Sequence, residues 1–115
     1  MTSASGALGN VLDAFVRRDL AAAAAEFGEH ATYREARKPA VHGRAAVAAH
    51  FARYAATGAA WEFVVDDVIA EGDRACVVYR FAVEGDGGAR IERAGCALVR
   101  LDGRGQIAEW REYEG

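Results

Sequence analysis

Three charged side chains inside strand-like segments could carry acid–base chemistry, and they are Glu35, Arg80 and Glu112. An arginine opposite a carboxylate holds that carboxylate ionised and oriented, so Glu112 beside Arg80 could act as a general base on water or on an acidic carbon. The alternatives are a plain cross-strand ion pair for Glu112 and Arg80, and a solvated rim residue for Glu35. No spacing of His, Asp, Glu and Cys suits zinc or iron, so we expect no metal site and no cofactor.

Aromatic side chains and one histidine are candidates for contact with a substrate. The histidine, His50, falls on the apolar stripe of a predicted helix, where it is either a hydrogen-bonded core residue or a functional one. The aromatic residues are either core or a platform for a ligand. The predicted substrate-binding set is Tyr33, His50, Phe51, Tyr54, Trp61 and Trp110.

Three helices are predicted in the first half of the chain. Apolar residues at helical spacing indicate an amphipathic helix over residues 5–18. Asp19 is a candidate N-cap for an alanine-rich second helix over residues 20–27. A third helix is predicted over residues 43–54, before a Thr-Gly pair that ends it.

The second half of the chain has the period-two alternation of β-strands, after a short strand or strand-like bend over residues 31–35. Glycine-rich turns separate four strand candidates, at residues 62–70, 74–84, 89–101 and 106–113. Consecutive long strands with tight turns predict an antiparallel meander. A bent meander after three helices suggests a sheet curled around the helices, and the part of its concave side left unfilled is a natural pocket.

The overall composition limits the class of protein. The 115 residues suffice for one domain, residues 1–115, with residues 1–6 expected to be flexible. The net charge of −3 has no basic run, which argues against nucleic acid as a partner. No apolar run approaches the ~20 residues that cross a bilayer, so we expect a cytoplasmic protein without a membrane partner. Cys76 and Cys96 are predicted to be buried free thiols.

The order of these elements, together with four local stretches, resembles the nuclear transport factor 2-like, or SnoaL-like, superfamily. The stretches are Arg-Asp-Leu at 18–20, Phe-Gly-Glu-His-Ala-Thr-Tyr at 27–33, His-Gly-Arg-Ala-Ala-Val at 42–47 and Gly-Gln-Ile-Ala-Glu-Trp-Arg-Glu-Tyr at 105–113. The likeness covers about residues 8 to 114. It implies an α+β cone, in which three N-terminal helices pack in the concave face of a strongly curved, mainly antiparallel sheet.

The resemblance also implies where catalytic residues lie. It places Arg80 and Glu112 inside the pocket, and the ending Trp-Arg-Glu-Tyr at 110–113 is similar to that of limonene epoxide hydrolase. The second carboxylate of that enzyme's strand motif is replaced by Ala82. This replacement removes the acid expected to protonate the epoxide oxygen.

A second member of the superfamily offers a role for Glu35. Residues 31–35 resemble the stretch of ketosteroid isomerase that ends in its proton-shuttling aspartate, and a carboxylate with one apolar wall could have a raised pKa and move a proton between carbons. The two donors that stabilise the enolate in that enzyme fall near Val11 and Ala97 here, so both are missing.

The predicted strand 74–84 also bears on oligomeric state. Tyr79, Phe81 and Val83 share the face opposite to that of Arg80, so the resemblance places them on the outside of the sheet. A row this apolar is costly to leave in water, and superfamily members commonly pair sheet to sheet. We therefore expect a homodimer through the outer sheet face.

Two functions remain open at this level. One is a cofactor-independent enzyme of isomerase, cyclase or epoxide-hydrolase type acting on an apolar or polycyclic molecule. The other is a ligand-binding or dimerisation module of the same fold without catalysis. In both, the expected partner is a small apolar molecule.

Overall fold

The computed structural model describes residues 6–115, apart from the side chain of Asp86, so the predicted flexible segment at 1–6 lies outside the described residues except for Gly6. The helices are α1 (Ala7–Arg17), α2 (Leu20–Ala25) and α3 (Arg44–Ala56), with a 3₁₀ turn at Asp86–Gly88. The strands are β1 (Phe27–Arg34), β2 (Val41–His42), β3 (Trp61–Glu71), β4 (Arg74–Glu84), β5 (Arg90–Leu101) and β6 (Ile107–Glu114). This arrangement confirms the predicted α+β class with three helices and a meander.

The first two helices are joined by a tight reversal. Arg18 adopts the left-handed conformation (φ 63°) and ends α1, since its N–H turns back to the carbonyls of the last helical turn. The Asp19 side chain then accepts a hydrogen bond of 3.0 Å from the N–H of Ala22, which confirms the predicted N-cap. The second helix ends at Ala25 rather than at 27, because Phe27 already belongs to β1.

The six strands form one sheet in the order β2-β1-β6-β5-β4-β3. All neighbours are antiparallel except β1 and β6, which run parallel. The β1–β6 pairing was not predicted, since it joins segments far apart in the chain, and the two-residue strand β2 was not predicted either. The pairing of β1 with β6 brings Tyr33 next to Trp110.

The two faces of β4 are opposite to the prediction. Tyr79 is 2% exposed and lies on the concave side with Phe81 and Val83, whereas the Arg80 side chain is 62% exposed on the outside. The expected apolar row on the outer face and the expected position of Arg80 in the pocket are therefore both wrong. Because side chains alternate, a single choice of face determines both assignments.

The narrow end of the curved sheet is filled by aromatic rings. Phe15 of α1 lies 5.8 Å from Phe51, 5.2 Å from Phe63 and 5.4 Å from Trp110, measured between ring centroids. Trp110 is fully buried. Edge-to-face contacts of this kind add to the burial of apolar area and fix the helices against the sheet. The wider end remains open.

The outer face of the sheet is partly apolar, although with other residues than expected. Ile69, Leu98 and Tyr113 are 63%, 40% and 41% exposed there. Cys76 and Cys96 are free thiols on this face and are half-buried rather than buried. In residues 6–115 no helix has the length and apolar character required to span a bilayer.

Candidate functional site

A cavity of about 610 Å³ occupies the open end of the cone, between α3, the loop after β1 and the concave face of the sheet. This volume suits a ligand of one to three fused rings. Eight aromatic residues from both the helices and the sheet line it: Phe15, Tyr33, Phe51, Tyr54, Trp61, Phe63, Tyr79 and Phe81.

Glu112 of β6 faces this cavity. Its Oε2 accepts a hydrogen bond of 2.9 Å from the indole N–H of Trp110, two residues earlier on the same face of the strand. The pKa of the Glu112 carboxyl is raised to about 7, chiefly by burial; the bond from Trp110 opposes the shift, and the nearby charges of Glu35 and Glu114 add to it. At neutral pH the carboxyl is thus divided between its two protonation states.

Tyr79 of β4 brings a hydroxyl group to the same place. This hydroxyl is buried and lies beside the Glu112 carboxyl, close enough for hydrogen bonding to lower the pKa of Glu112, although no described residue gives it a hydrogen bond of good geometry. Burial raises the pKa of Tyr79, and the charge of Glu112 adds to the effect, so the phenol stays protonated. The hydroxyl can therefore donate to Glu112 or to a ligand oxygen in the cavity.

Gly95 of β5 makes room for this pair. A Cβ at position 95 would lie 3.1 Å from the Tyr79 hydroxyl and 3.1 Å from Cγ of Glu114, and it would also collide with the carbonyl of Tyr113. The absence of a side chain at this position allows β5 and β6 to approach closely where Tyr79 reaches Glu112.

Glu35 is the second carboxylate of the cavity, at the end of β1. Its Oε2 accepts a hydrogen bond of 3.3 Å from the Tyr33 hydroxyl and lies 3.4 Å from Nε2 of His50. The Lys38 ammonium lies 3.7 Å from its Oε1. A smaller cavity of about 210 Å³ lies next to this group and shares these four residues with the main one.

Tyr33 connects the two carboxylates. Burial raises its pKa well above the ordinary value, followed in size by the charges of Glu112 and Glu35. The hydroxyl therefore remains a proton donor, and it is 5% exposed as a residue. Tyr33 thus donates a hydrogen bond to Glu35 and lies close enough to Glu112 to interact with its charge.

The mouth of the cavity is charged. Glu114, the last residue of β6, accepts from Arg37 at 3.2 Å and from Arg93 at 3.5 Å, and its own side chain is only 12% exposed. Arg37 has a positive φ of 62° in the loop after β1, which directs that loop over the opening. Arg53, in the last turn of α3, also lines the cavity.

The predicted site residues separate into three groups. Glu112 and Glu35 face the cavity, as do five of the six predicted substrate-binding residues: Tyr33, His50, Phe51, Tyr54 and Trp61. Trp110 lies behind the wall and orients Glu112 instead of contacting the cavity.

Arg80 forms the third group, because it does not face the cavity. Its guanidinium forms a bidentate pair with Asp66 on the outer face, with N–O distances of 2.9 to 3.1 Å. Asp66 is at a bulge in β3, where the register with β4 shifts, and this displaces its carboxylate toward Arg80. The predicted pairing of Arg80 with Glu112 is therefore wrong.

Several polar residues of the cavity wall were not predicted, among them Tyr79, Arg53, Arg93 and Glu114. The first is the alternate-face neighbour of Arg80, so the correct choice of face would have found it. Glu114 follows Glu112 at a spacing of two and shares its face. No signal in the sequence pointed to the two arginines. Among the side chains that the structure describes, no cluster of three His, Cys, Asp or Glu residues could hold a metal ion.

Comparisons with known proteins agree with this fold. The family model described as the SnoaL-like domain matches residues 9–110. No curated protein matches the sequence.

Solved structures show the same fold at low sequence identity. An NTF2-like protein of unknown function from Burkholderia pseudomallei superposes with a TM-score of 0.83 at 18% identity, over 100% of this chain and 92% of that one. An LEH-like epoxide hydrolase from M. tuberculosis gives 0.81 at 22% identity, over 98% and 83%. A protein with a ketosteroid isomerase-like fold from Catenulispora acidiphila, in complex with trimethylamine, gives 0.79 at 17% identity, over 95% and 85%.

Proposed function

The chain belongs to the SnoaL-like domain family, and we propose that within this family it is a cofactor-independent acid–base enzyme. In this proposal Glu112 exchanges a proton with an apolar small molecule held in the cavity. The observation that carries it is a buried carboxyl with a pKa of about 7, facing a cavity of about 610 Å³ with apolar walls. Proton transfer is most efficient when the pKa of the catalytic group lies near the working pH.

The chemistry proposed is the transfer of a proton from and to carbon atoms, beginning at a carbon next to a carbonyl group. Glu112 takes a proton from that carbon and returns it to another, while the Tyr79 hydroxyl donates to the oxygen on which negative charge develops. Trp110 holds the carboxylate by its Oε2. Isomerases and aldol-type cyclases share this first step.

Two features support this reaction over epoxide hydrolysis. The position expected for the second acid, Ala82, is not in the cavity wall, and β4 presents Tyr79 and Phe81 there. A single carboxyl with a neutral pKa can both accept and return the same proton, as carbon-to-carbon transfer requires.

A bicyclic ketone tests the proposal without knowledge of the natural substrate. We expect the chain to accelerate the exchange of the α-hydrogens of 2-tetralone for deuterium in D₂O, followed by NMR. Tyr79→Phe should lower the exchange rate roughly 10²-fold, because one donor to the developing oxyanion is lost.

The matched control for this variant is Tyr113→Phe, since Tyr113 is 41% exposed on the outer face. It should leave the rate unchanged. Tyr79→Phe keeps the ring that stacks on Phe63 at 5.3 Å between centroids, so the variant should remain folded. Exchange at the rate of buffer alone, or an equal loss in both variants, would argue against the proposal.

The assembly we propose is a homodimer through the outer face of the sheet. The row that crosses β3, β4 and β5 at Ile69, Cys76 and Leu98 is apolar, and the large side chains at both ends are exposed. Leu98→Asp should shift the sedimentation coefficient from dimer to monomer. Val16→Asp, on α1 and 50% exposed, should not. A monomeric wild-type chain at high micromolar concentration would contradict this assembly.

A further inference from the structure

The cavity carries a charge pattern that differs from the average of the chain. The chain as a whole has a net charge of −3. The cavity wall, in contrast, contains more cationic side chains than carboxylates. The cations are Arg37, Lys38, Arg53 and Arg93, and the carboxylates are Glu35, Glu112 and Glu114.

Two of the three carboxylates have cationic partners. Glu114 accepts from two guanidinium groups. Glu35 has an ammonium at 3.7 Å and a tyrosine donor at 3.3 Å. Glu112 has no cationic partner within residues 6–115; it accepts from the indole N–H of Trp110 and serves in the proposed reaction. Glu35 and Glu114 are thus not free to receive a cationic ligand.

The cations are not all compensated in the same way. Arg53 is exposed and makes no ion pair or hydrogen bond with the side chains that the structure describes. It lies in the last turn of α3 and lines the cavity. The next residue, Tyr54, also lines the cavity, and its buried hydroxyl has no hydrogen-bond partner among residues 6–115. Arg53 is therefore an exposed cation without a described partner beside the cavity, whereas the Tyr54 hydroxyl is enclosed in the cavity wall.

We infer that the molecule bound in this cavity is an anionic amphiphile, with an apolar ring system against the aromatic wall and a carboxylate on Arg53. The inference rests on the proposed use of this cavity and names the chemical class of its ligand. A guanidinium presents paired N–H donors, and a carboxylate accepts from two of them at once.

The aromatic wall near the mouth accounts for the apolar part of the ligand. Tyr54, Trp61 and Phe81 lie 6.0 to 6.5 Å from one another between ring centroids. Their planes meet at angles of 33° to 64°, so the three rings form an angled apolar wall.

The opposite ligand class is a useful comparison, because the similar protein from Catenulispora acidiphila was solved with trimethylamine. A cationic ligand is favoured by a carboxylate without a cationic partner or by an aromatic cage. Among the described cavity residues, Glu35 and Glu114 have cationic partners, and Arg53 is a cation without one. Cationic probes should therefore bind more weakly than anionic ones.

The test is calorimetric titration of the full chain with three naphthalene probes of equal ring size at pH 7.5 and low salt. They are 2-naphthoate, its neutral methyl ester and 2-naphthylmethylammonium. We expect 2-naphthoate to bind about tenfold more tightly than either of the others, and less tightly at high salt. Arg53→Gln should lower the affinity for 2-naphthoate about fivefold and leave that for the methyl ester unchanged.

Arg74→Gln is the matched control, because Arg74 is an exposed arginine at the start of β4 and does not line the cavity. It should leave all three affinities unchanged. Equal affinities for the three probes, tighter binding of the ammonium, no binding of 2-naphthoate, or an Arg53→Gln variant with unchanged preference would each overturn the inference.

The binding test and the 2-tetralone exchange test can fail independently of each other. A preference for 2-naphthoate without exchange of 2-tetralone would remove the catalytic role and leave the ligand class intact. Exchange of 2-tetralone without this preference would overturn the ligand class alone.

Discussion

Glu112→Gln lowers the rate of 2-tetralone exchange on the order of 10³- to 10⁴-fold, which is the largest effect expected of any single substitution in this chain. The amide has the size of the acid and can still accept the indole N–H of Trp110, so the local structure is retained. It cannot take up a proton at neutral pH. The measurement is the exchange rate by NMR at pH 7 for the variant and the wild type.

The matched control is Glu109→Gln on the same strand. Glu109 lies on the outer face, where it pairs with Arg111 at 3.2 Å. Its replacement should change the exchange rate less than twofold, because surface ion pairs contribute little even to stability. Equal losses from both variants would mean that the effect is structural, and retention of the rate in Glu112→Gln would exclude this residue as the proton carrier.

The second large effect concerns the ionisation of Glu112, which makes the free energy of unfolding depend on pH. The pKa of Glu112 is raised from 4.5 to about 7 in the folded chain. Between these values the folded state holds a proton that the unfolded state has released, so its stabilising contribution is complete at low pH and disappears as the pH rises through 7. At about 1.4 kcal/mol per pKa unit, the wild type loses roughly 3 kcal/mol from this group between pH 4.5 and pH 8.

Glu112→Gln removes this part of the pH dependence. Relative to the wild type, the variant should therefore be more stable at pH 8 than at pH 5, with a change in the difference of up to ~3 kcal/mol. Urea unfolding at pH 5, 6, 7 and 8 measures it. Parallel curves for the two proteins over this range would show that Glu112 ionises in the folded state as it does in the unfolded state.

The elements of the fold could be predicted because the signals for them are local. The β4 bounds of 74–84 agree with the structure, and the Asp19 N-cap was recognised from its position before an alanine run. Turns and caps depend on a few adjacent residues. The parallel contact of β1 with β6 depends on residues about 80 positions apart along the chain, and no local pattern indicates it.

The choice of face in β4 failed for a different reason. Val77, Tyr79 and Phe81 on one side are apolar, but so are Cys76, Val78 and Ala82 on the other. Alternation alone then cannot tell the concave side from the outer one. Arg80, in the middle of the strand, was placed inside because of the resemblance, whereas desolvation of a guanidinium without a buried partner favours the outside.

The buried face of β6 was predicted correctly because the two faces of this strand differ more in polarity than those of β4. Trp110 and Glu112 alternate with Glu109 and Arg111, and the tryptophan identifies the buried side. The elevated pKa of Glu112 was not predictable from this pattern. It arises from burial and from Glu35 and Glu114, which reach the same cavity from β1 and from the end of β6.

The proposed role of Glu112 depends on the titration of its carboxyl. Carbon-13 NMR of the glutamate side-chain carboxyl carbons, with the Glu112 signal assigned by its absence in Glu112→Gln, measures this pKa directly in the folded protein. We expect a midpoint of about 7. A midpoint near the ordinary glutamate value of ~4.3 would contradict the proposed role, since it would show that the cavity does not desolvate this carboxyl and does not match its pKa to neutral pH.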